Sequence, residues 1–449
     1  VSDSQSNSSG PLKTFVDKIT PSGDKENVTI YFSMGKDSNS SCAFAALGDC
    51  RLYSLSFSAP EVWDSKSDVI FDVDSFSAVI PGVSAVIPDV SPDNSALSFR
   101  SGADSGGYSL QSVYTYKFET EEVISITDGV TFNDSGHWPT WSSDNTLVIS
   151  NSKQCIGSDC SRSSKFENLT QFTFNDDLSE VISNEVIYGE DACSFSDPAF
   201  SGELLAFHSS PVDGVTQIHG DDCPFIEGLS GTLQGGSSAP RAIVMNTNSS
   251  VKNLKDLVEG RDYWELGLES AGINGCAHVD FLNDGTVICL EQGTVDADEV
   301  CSNPNVAVNQ CQKTGNSIIK VNKVFGFELK KGEYQNINAG NAALFDHAHP
   351  LDLPNVEDYW KASEGCPLYA TKYAQQCGKN TLFATVQCMG PDANAPKGYT
   401  SGFSRTMLIH YADPDNPIYI DLNGWVQDEF PEQWDSGEIS GFAGTCVIN

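Results

Sequence analysis

Residues 88–101 read PDVSPDNSALSFRS and residues 139–152 read PTWSSDNTLVISNS, and the two align without a gap. Residues 198–210, PAFSGELLAFHSS, follow the same plan with a shorter turn, and residues 279–292, VDFLNDGTVICLEQ, repeat it without a gap. Each copy is a strand, a tight turn and a returning strand. Asp-Asn and Asp-Gly pairs suit the turn because those residues tolerate positive φ. A further strand pair follows each hairpin, as in YSLQSVYTYKF (108–118) then EEVISIT (121–127), or NSIIKVNKVFGFEL (316–329). A four-stranded unit recurring every ~50 to 85 residues predicts an all-β chain folded as a single β-propeller with long, disulfide-closed insertions.

The blades are expected to start near Val28, Ser84, His137, Asp197, His278 and His347. That makes six, or seven if a long first or last segment holds another. The fifth copy is expected to open at Pro350, its returning strand delayed to Asn380–Cys388, while NVTIYFSM (Asn27–Met34) reads as the returning strand of a further copy. Residues 1–12, polar and rich in Ser and Asn, read as a loose tail, and 13–449 as the propeller domain. The most helix-like stretch, Val251–Trp264, is expected to be a blade insertion.

The pattern Pro-x-(Trp/Phe)-Ser-x-Asp-(Asn/Gly)-x-x-(apolar)-x-Phe, carried by five segments between about residues 85 and 390, resembles the TolB-type propeller repeat. That resemblance implies a first strand lining a central channel, and it implies no activity.

The register of the repeat then locates the polar residues. The position before the aligned Pro is Asp197 in one copy and His349 in another, and the gapless alignment puts His278 in the same place. His137 lies one residue further out, His347 two residues before His349, and His208 ends a returning strand where other copies carry Arg100, Asn151 and Glu291. Imidazoles are the commonest transition-metal ligands, and the H-x-H of Asp346-His347-Ala348-His349-Pro350 has chelate spacing. The expected site is therefore a divalent transition metal (Mn, Zn or Cu) held by His278, His347 and His349, with Asp197 or His137 completing or orienting it. Structural, hydrogen-bonded histidines are the alternative.

This constellation resembles the oligogalacturonate lyases, propellers that bind a divalent metal with one His from one blade and an H-x-H from the next. His278 and His347/His349, about seventy residues apart, match that arrangement. The family also has a Gln shortly before the H-x-H, where this chain has Leu344 three residues ahead. The resemblance implies elimination on a polyuronate, which requires neutralising the uronate carboxylate and a base for the α-proton. His137 or His208 would be that base and Arg100 a carboxylate fork. Trp141 takes the core-aromatic place of the repeat, leaving Trp138 to stack on a sugar.

Composition bounds these readings. The 449 residues carry 25 Lys and Arg against 61 Asp and Glu, a formal charge of −36. Nucleic-acid binding needs a basic footprint and is excluded as a function class. The same charge repels a polyanionic substrate, so a lyase would rely on local metal charge or high salt. Fourteen cysteines sit largely as close pairs such as Cys42/Cys50, Cys155/Cys160, Cys276/Cys289, Cys301/Cys311 and Cys366/Cys377, none of them a CxxC. They read as disulfides of an oxidising compartment. Asn-x-Ser/Thr sequons at Asn7, Asn27, Asn39, Asn133, Asn168 and Asn248 fit a glycoprotein, and Val1 reads as the start of a mature, secreted or cell-surface form. No apolar run is long enough to insert in a membrane. Asp413-Pro-Asp415-Asn416 and Asp296-Ala-Asp298-Glu299 are Ca²⁺ candidates or solvated turns. Serine-hydrolase, NTPase and dinucleotide motifs are absent.

Three functional expectations result. One is a secreted metal-dependent enzyme degrading a polysaccharide. The second is a non-enzymatic extracellular module that binds another protein, sequesters metal or forms filaments. In the third, the histidines only pack and the insertions at 211–240 and 293–316 are the functional face.

Overall fold

The computed structural model describes residues 25–35, 50–101, 112–126, 138–143, 145–152, 167–188, 196–209, 241–249, 256–258, 261–265, 276–282, 287–296, 318–329, 345–349, 368–390, 400–413, 416–432 and 440–449. Chain order begins with β1 (Glu26–Gly35), β2 (Arg51–Ala59) and β3 (Ile70–Ala78). The first blade is β4 (Ala85–Val90), β5 (Ala96–Ser101), β6 (Ser112–Lys117) and β7 (Val123–Ser125). The second is β8 (Pro139–Ser143), β9 (Thr146–Ser152), β10 (Glu167–Phe174) and β11 (Val181–Tyr188). The third is β12 (Ser196–Ser201), β13 (Leu204–Ser209), β14 (Arg241–Asn246) and β15 (Tyr263–Glu265). The fourth is β16 (Cys276–Phe281), β17 (Val287–Asp296), β18 (Ile318–Leu329) and β19 (Phe345–His349). The fifth is β20 (Leu368–Gln376), β21 (Thr381–Gly390), β22 (Thr400–His410) and β23 (Ile418–Asp421), followed by the helix α1 (Leu422–Glu429). Finally β24 (Ser440–Ile448) pairs antiparallel with β1, so the closing blade runs β24-β1-β2-β3.

Among the described residues the strands thus form six four-stranded sheets. The first strand of each sheet packs on the first strands of its two neighbours: β24 on β4, β4 on β8, β8 on β12, β12 on β16, β16 on β20 and β20 on β24. That closed ring of inner strands defines a β-propeller, whose radial repetition leaves only short, protected sheet edges.

Local chemistry makes the hairpins. In the first blade Asn94 takes φ 62° in the turn, Ser91 donates its hydroxyl to Asp93 Oδ1 (2.7 Å), and Ser91 Oγ accepts the Ala96 N–H (2.9 Å). A short Ser-Asp-Asn segment thereby satisfies the turn's own polar groups, as Asx turns do. The core lies between blades. Ala96, Val113 and Trp141 pack with Leu147, Phe172 and Phe174 between the first and second. Phe32, Phe57 and Trp63 pack with Phe383, Leu408 and Val426 between the closing blade and the fifth.

Several expectations are corrected. The fifth blade opens at Leu368, and residues 345–349 end the fourth blade as its outermost strand. The returning strand of that fifth copy is nonetheless β21, and Asn27–Met34 is the second strand of the closing blade, as expected. Tyr263–Glu265, overlapping the end of the most helix-like stretch, is a strand. A helix instead forms at Leu422–Glu429, where the Asp421 carboxylate accepts the Gly424 N–H (3.0 Å). Cys377 bonds Cys446, fastening the fifth blade to β24, in place of the expected Cys366/Cys377 pair.

Candidate functional site

The inner strands share a bulge. In β4, Val86 pairs with Arg100 but Asp89 with Ser98, so Ile87 and Pro88 face Phe99 alone. In β16, Ala277 pairs with Leu290 and Asp280 with Ile288, and in β12, Ser196 pairs with His208 and Ala199 with Ala206. A bulge bends its strand and re-aims the residues beyond it. Ile87 sits at φ 55°, a conformation that costs a β-branched residue about 1–3 kcal/mol. The residue after the bulge is Asp89 in the first blade and Asp280 in the fourth. Those blades stand three places apart in a ring of six, on opposite sides of the channel.

Asp89 bridges to the next blade. Its Oδ2 accepts the Trp141 N–H (2.8 Å), its backbone carbonyl accepts the Trp141 indole N–H (3.2 Å), and the Thr140 hydroxyl bonds its carboxylate. These bonds favour the ionised form, but desolvation outweighs them and pushes the Asp89 pKa up to about 6. Among the described residues Asp280 accepts the Phe281 N–H at Oδ1 (2.8 Å) and no other donor. Desolvation, with the charge of Asp89 adding to it, pushes Asp280 up to about 7. Both residues are half-buried. Burial thus raises both carboxyls toward neutral pH, Asp280 further than Asp89.

The sequence contained a signal for this pair. Asp89 and Asp280 occupy the same column of the gapless repeat, where the second and third copies carry Thr140 and Ala199. Their opposition across the channel comes only from ring closure.

The sequence-derived residues are placed as follows. His278 and Asp197 take equivalent bulge positions on the inner strands of adjacent blades, β16 and β12. His347 and His349 lie on β19, the fourth strand of the sheet that β16 begins, with His349 paired to Gly326. Three strand spacings, about 14 Å, separate the H-x-H backbone from that of His278. His208 stands on β13 opposite Ser196. The side chains of Asp197, His208, His278, His347 and His349, and all of His137, lie outside the described residues.

Arg100 is 1% exposed, enclosed on β5 instead of presented at a rim. Trp138 is 8% exposed, which removes it as a stacking platform, while Trp141 packs on Phe174 in the core position expected of it. Asn416 Nδ2 donates to Asp413 Oδ2 (3.0 Å), closing a turn at one Ca²⁺ candidate, and Asp415 lies outside the described residues. Among the described residues no three His, Cys, Asp or Glu side chains converge to hold a metal. No helix among them is long and apolar enough to cross a membrane.

No family model and no curated protein matches the chain. Solved structures similar to it include the putative TolB from Agrobacterium tumefaciens, at 10% identity and TM-score 0.39, covering 95% of this chain and 100% of that one. A periplasmic gluconolactonase from Pseudomonas aeruginosa is 10% identical at TM-score 0.33, covering 88% and 99%. A puromycin-hydrolyzing peptidase from Mycobacterium tuberculosis is 12% identical at TM-score 0.34, covering 78% of this chain, which spans 42% of that protein's length. At these levels the likenesses carry no activity across, and the chain is a β-propeller on the evidence of its own sheet topology.

Proposed function

We propose that this chain is an extracellular propeller enzyme that cleaves a polysaccharide in its central channel, with Asp280 as proton donor and Asp89 as its ionised partner. The supporting observation is the pair itself: carboxyls from opposite inner strands, both pushed toward neutrality by their surroundings. Glycosidic cleavage needs an acid to protonate the departing oxygen and a carboxylate to assist the opposite face of the sugar. Neither role needs the basic groups that a −36 chain lacks, so neutral or cationic glycans suit the site better than polyuronates. The Cys377–Cys446 disulfide agrees with an oxidising, exported location.

The test is release of reducing ends from a panel of polysaccharides by wild type, Asp280→Asn and Asp89→Asn. Asp280→Asn is expected to lose about 10²–10⁴-fold in rate. Full activity in that variant on a substrate the wild type cleaves would overturn the assignment.

A second reading is favoured by the three hydrogen bonds that engage Asp89 with Thr140 and Trp141, which make that residue a staple between blades. On this reading the propeller is a non-enzymatic extracellular platform for a glycan or protein. Turnover of no polymer, alongside specific binding of one, would select it.

A further inference from the structure

The closing blade is fastened at a second place besides the β24–β1 ladder. The segment between β2 and β3, residues 60–69, reaches the fifth blade, where Trp63 meets His410 at the end of β22. His410 is 2% exposed. Its Nε2 accepts the Trp63 N–H (3.1 Å), so Nε2 carries no proton. The proton therefore sits on Nδ1, which lies 2.9 Å from Thr381 Oγ1 and donates to it. The imidazole also stacks on the Trp63 indole, with ring centroids 4.5 Å apart and planes 10° apart.

We propose that His410 is a pH-operated latch: neutral, it holds the Trp63 segment against the fifth blade, and on gaining a proton it releases that segment. A second ring proton would point at the Trp63 N–H, turning the bond into a contact between two donors. Stacking of an imidazolium on indole is attractive and opposes release. Burial is the larger effect, and it pushes the His410 pKa down to about 4.

The charged groups nearby are Glu61, Asp64, Lys66 and Asp68 on the Trp63 segment, Lys379 on the β20–β21 turn, Glu26 on β1 and Asp413 beyond β22. Lys379 pairs with Glu61, its backbone N–H bonds Glu26 Oε2 (3.3 Å), and Asp68 Oδ2 accepts the Asp64 and Ser65 N–H groups. Among the described residues none of these carboxylates forms an ion pair with the imidazole, so none offsets its desolvation. The Cys377–Cys446 bond holds β24 to the fifth blade but does not cross to β1–β3. Release of His410 therefore loosens the 60–69 segment's hold on the fifth blade, while Lys379 still bonds Glu61 and Glu26 and the disulfide still ties β24.

The lowered folded value fixes the sign. Hold is full above the ordinary histidine range near 6.5 and weakens as pH falls toward about 4. Between pH 7 and pH 5 the opening equilibrium of the segment should rise about twentyfold, from the ratio of protons bound by open and closed forms.

The experiment is hydrogen exchange of the Trp63 amide in the full chain at pH 7, 6 and 5, corrected for intrinsic rates, in wild type and His410→Gln. The glutamine accepts from Trp63 and donates to Thr381 at every pH. The expected result is a roughly twentyfold loss of protection in wild type and a flat profile in the variant. Equal pH dependence in both, or unchanged wild-type protection, overturns the latch. If the variant fails to fold, the wild-type His410 ring resonance decides: titration with a midpoint near 6.5 refutes the proposal, and a midpoint well below 5 supports it.

Discussion

Replacing Asp280 by Asn tests whether the channel carboxyls are held at a cost. Its folded pKa is raised from 3.8 to about 7, so the folded state favours the protonated form. The associated stability is fully present below the unfolded value of 3.8 and is lost as pH rises through about 7. At 1.36 kcal/mol per unit, the ionised side chain costs up to about 4 kcal/mol at pH 8. Solvent in the channel screens part of this, and about 1–3 kcal/mol is the working expectation. Asparagine keeps the oxygen that accepts the Phe281 N–H and removes the charge opposed to Asp89. The variant should therefore be more stable than wild type by about 1–3 kcal/mol at pH 8 and equal to it near pH 4. Scanning calorimetry at pH 8, 6 and 4 reads this directly, independently of any substrate. Equal destabilisation at all three pH values would show that Asp280 is an ordinary packing residue and would refute the site.

The remaining predictions concern the seam and the histidines. A methyl group on Gly444 would stand 2.6 Å from Phe383 Cζ and 2.7 Å from the Tyr31 carbonyl oxygen. Gly444→Ala should therefore cost about 1–3 kcal/mol, read as a lowered Tm, and an unchanged Tm would show that the inner strands separate easily. A divalent ion held by His278, His347 and His349, with Asp197, remains a proposal. Metal content by mass spectrometry should fall in both His278→Ala and His349→Ala, whereas unchanged content in both would refute the site.

Much of the fold was legible because hairpin chemistry is local. The segment Ser91-Pro92-Asp93-Asn94-Ser95 closes its turn with its own side chains, and the same grammar marked four of the inner strands. The fifth was misplaced because LYATKYAQQ lacks the Pro and aromatic marker. Its identity as an inner strand depends on pairing with β21 and on packing against β16 and β24. The reading of His349 as an inner-strand residue rests on Pro350 opening a blade, whereas residues 345–349 form the outer strand of the fourth. The helix at Leu422–Glu429 is short, and its Asp421 cap is a weak signal among many aspartates. His410 had no sequence marker at all, since its partners Trp63 and Thr381 are contributed by the other end of the chain and by a neighbouring strand.

The amino-acid sequence by itself determined the all-β class and the recurring four-stranded unit. These follow from turn chemistry and period-two patterning, properties that neighbouring residues contain. Only the tertiary structure decided which residues meet. Ring closure set Asp89 opposite Asp280, moved the H-x-H to an outer edge and brought Trp63 onto His410. Such pairings join residues about 190 or 350 positions apart, and their burial and pKa values are set by packing around the ring, which no local pattern encodes.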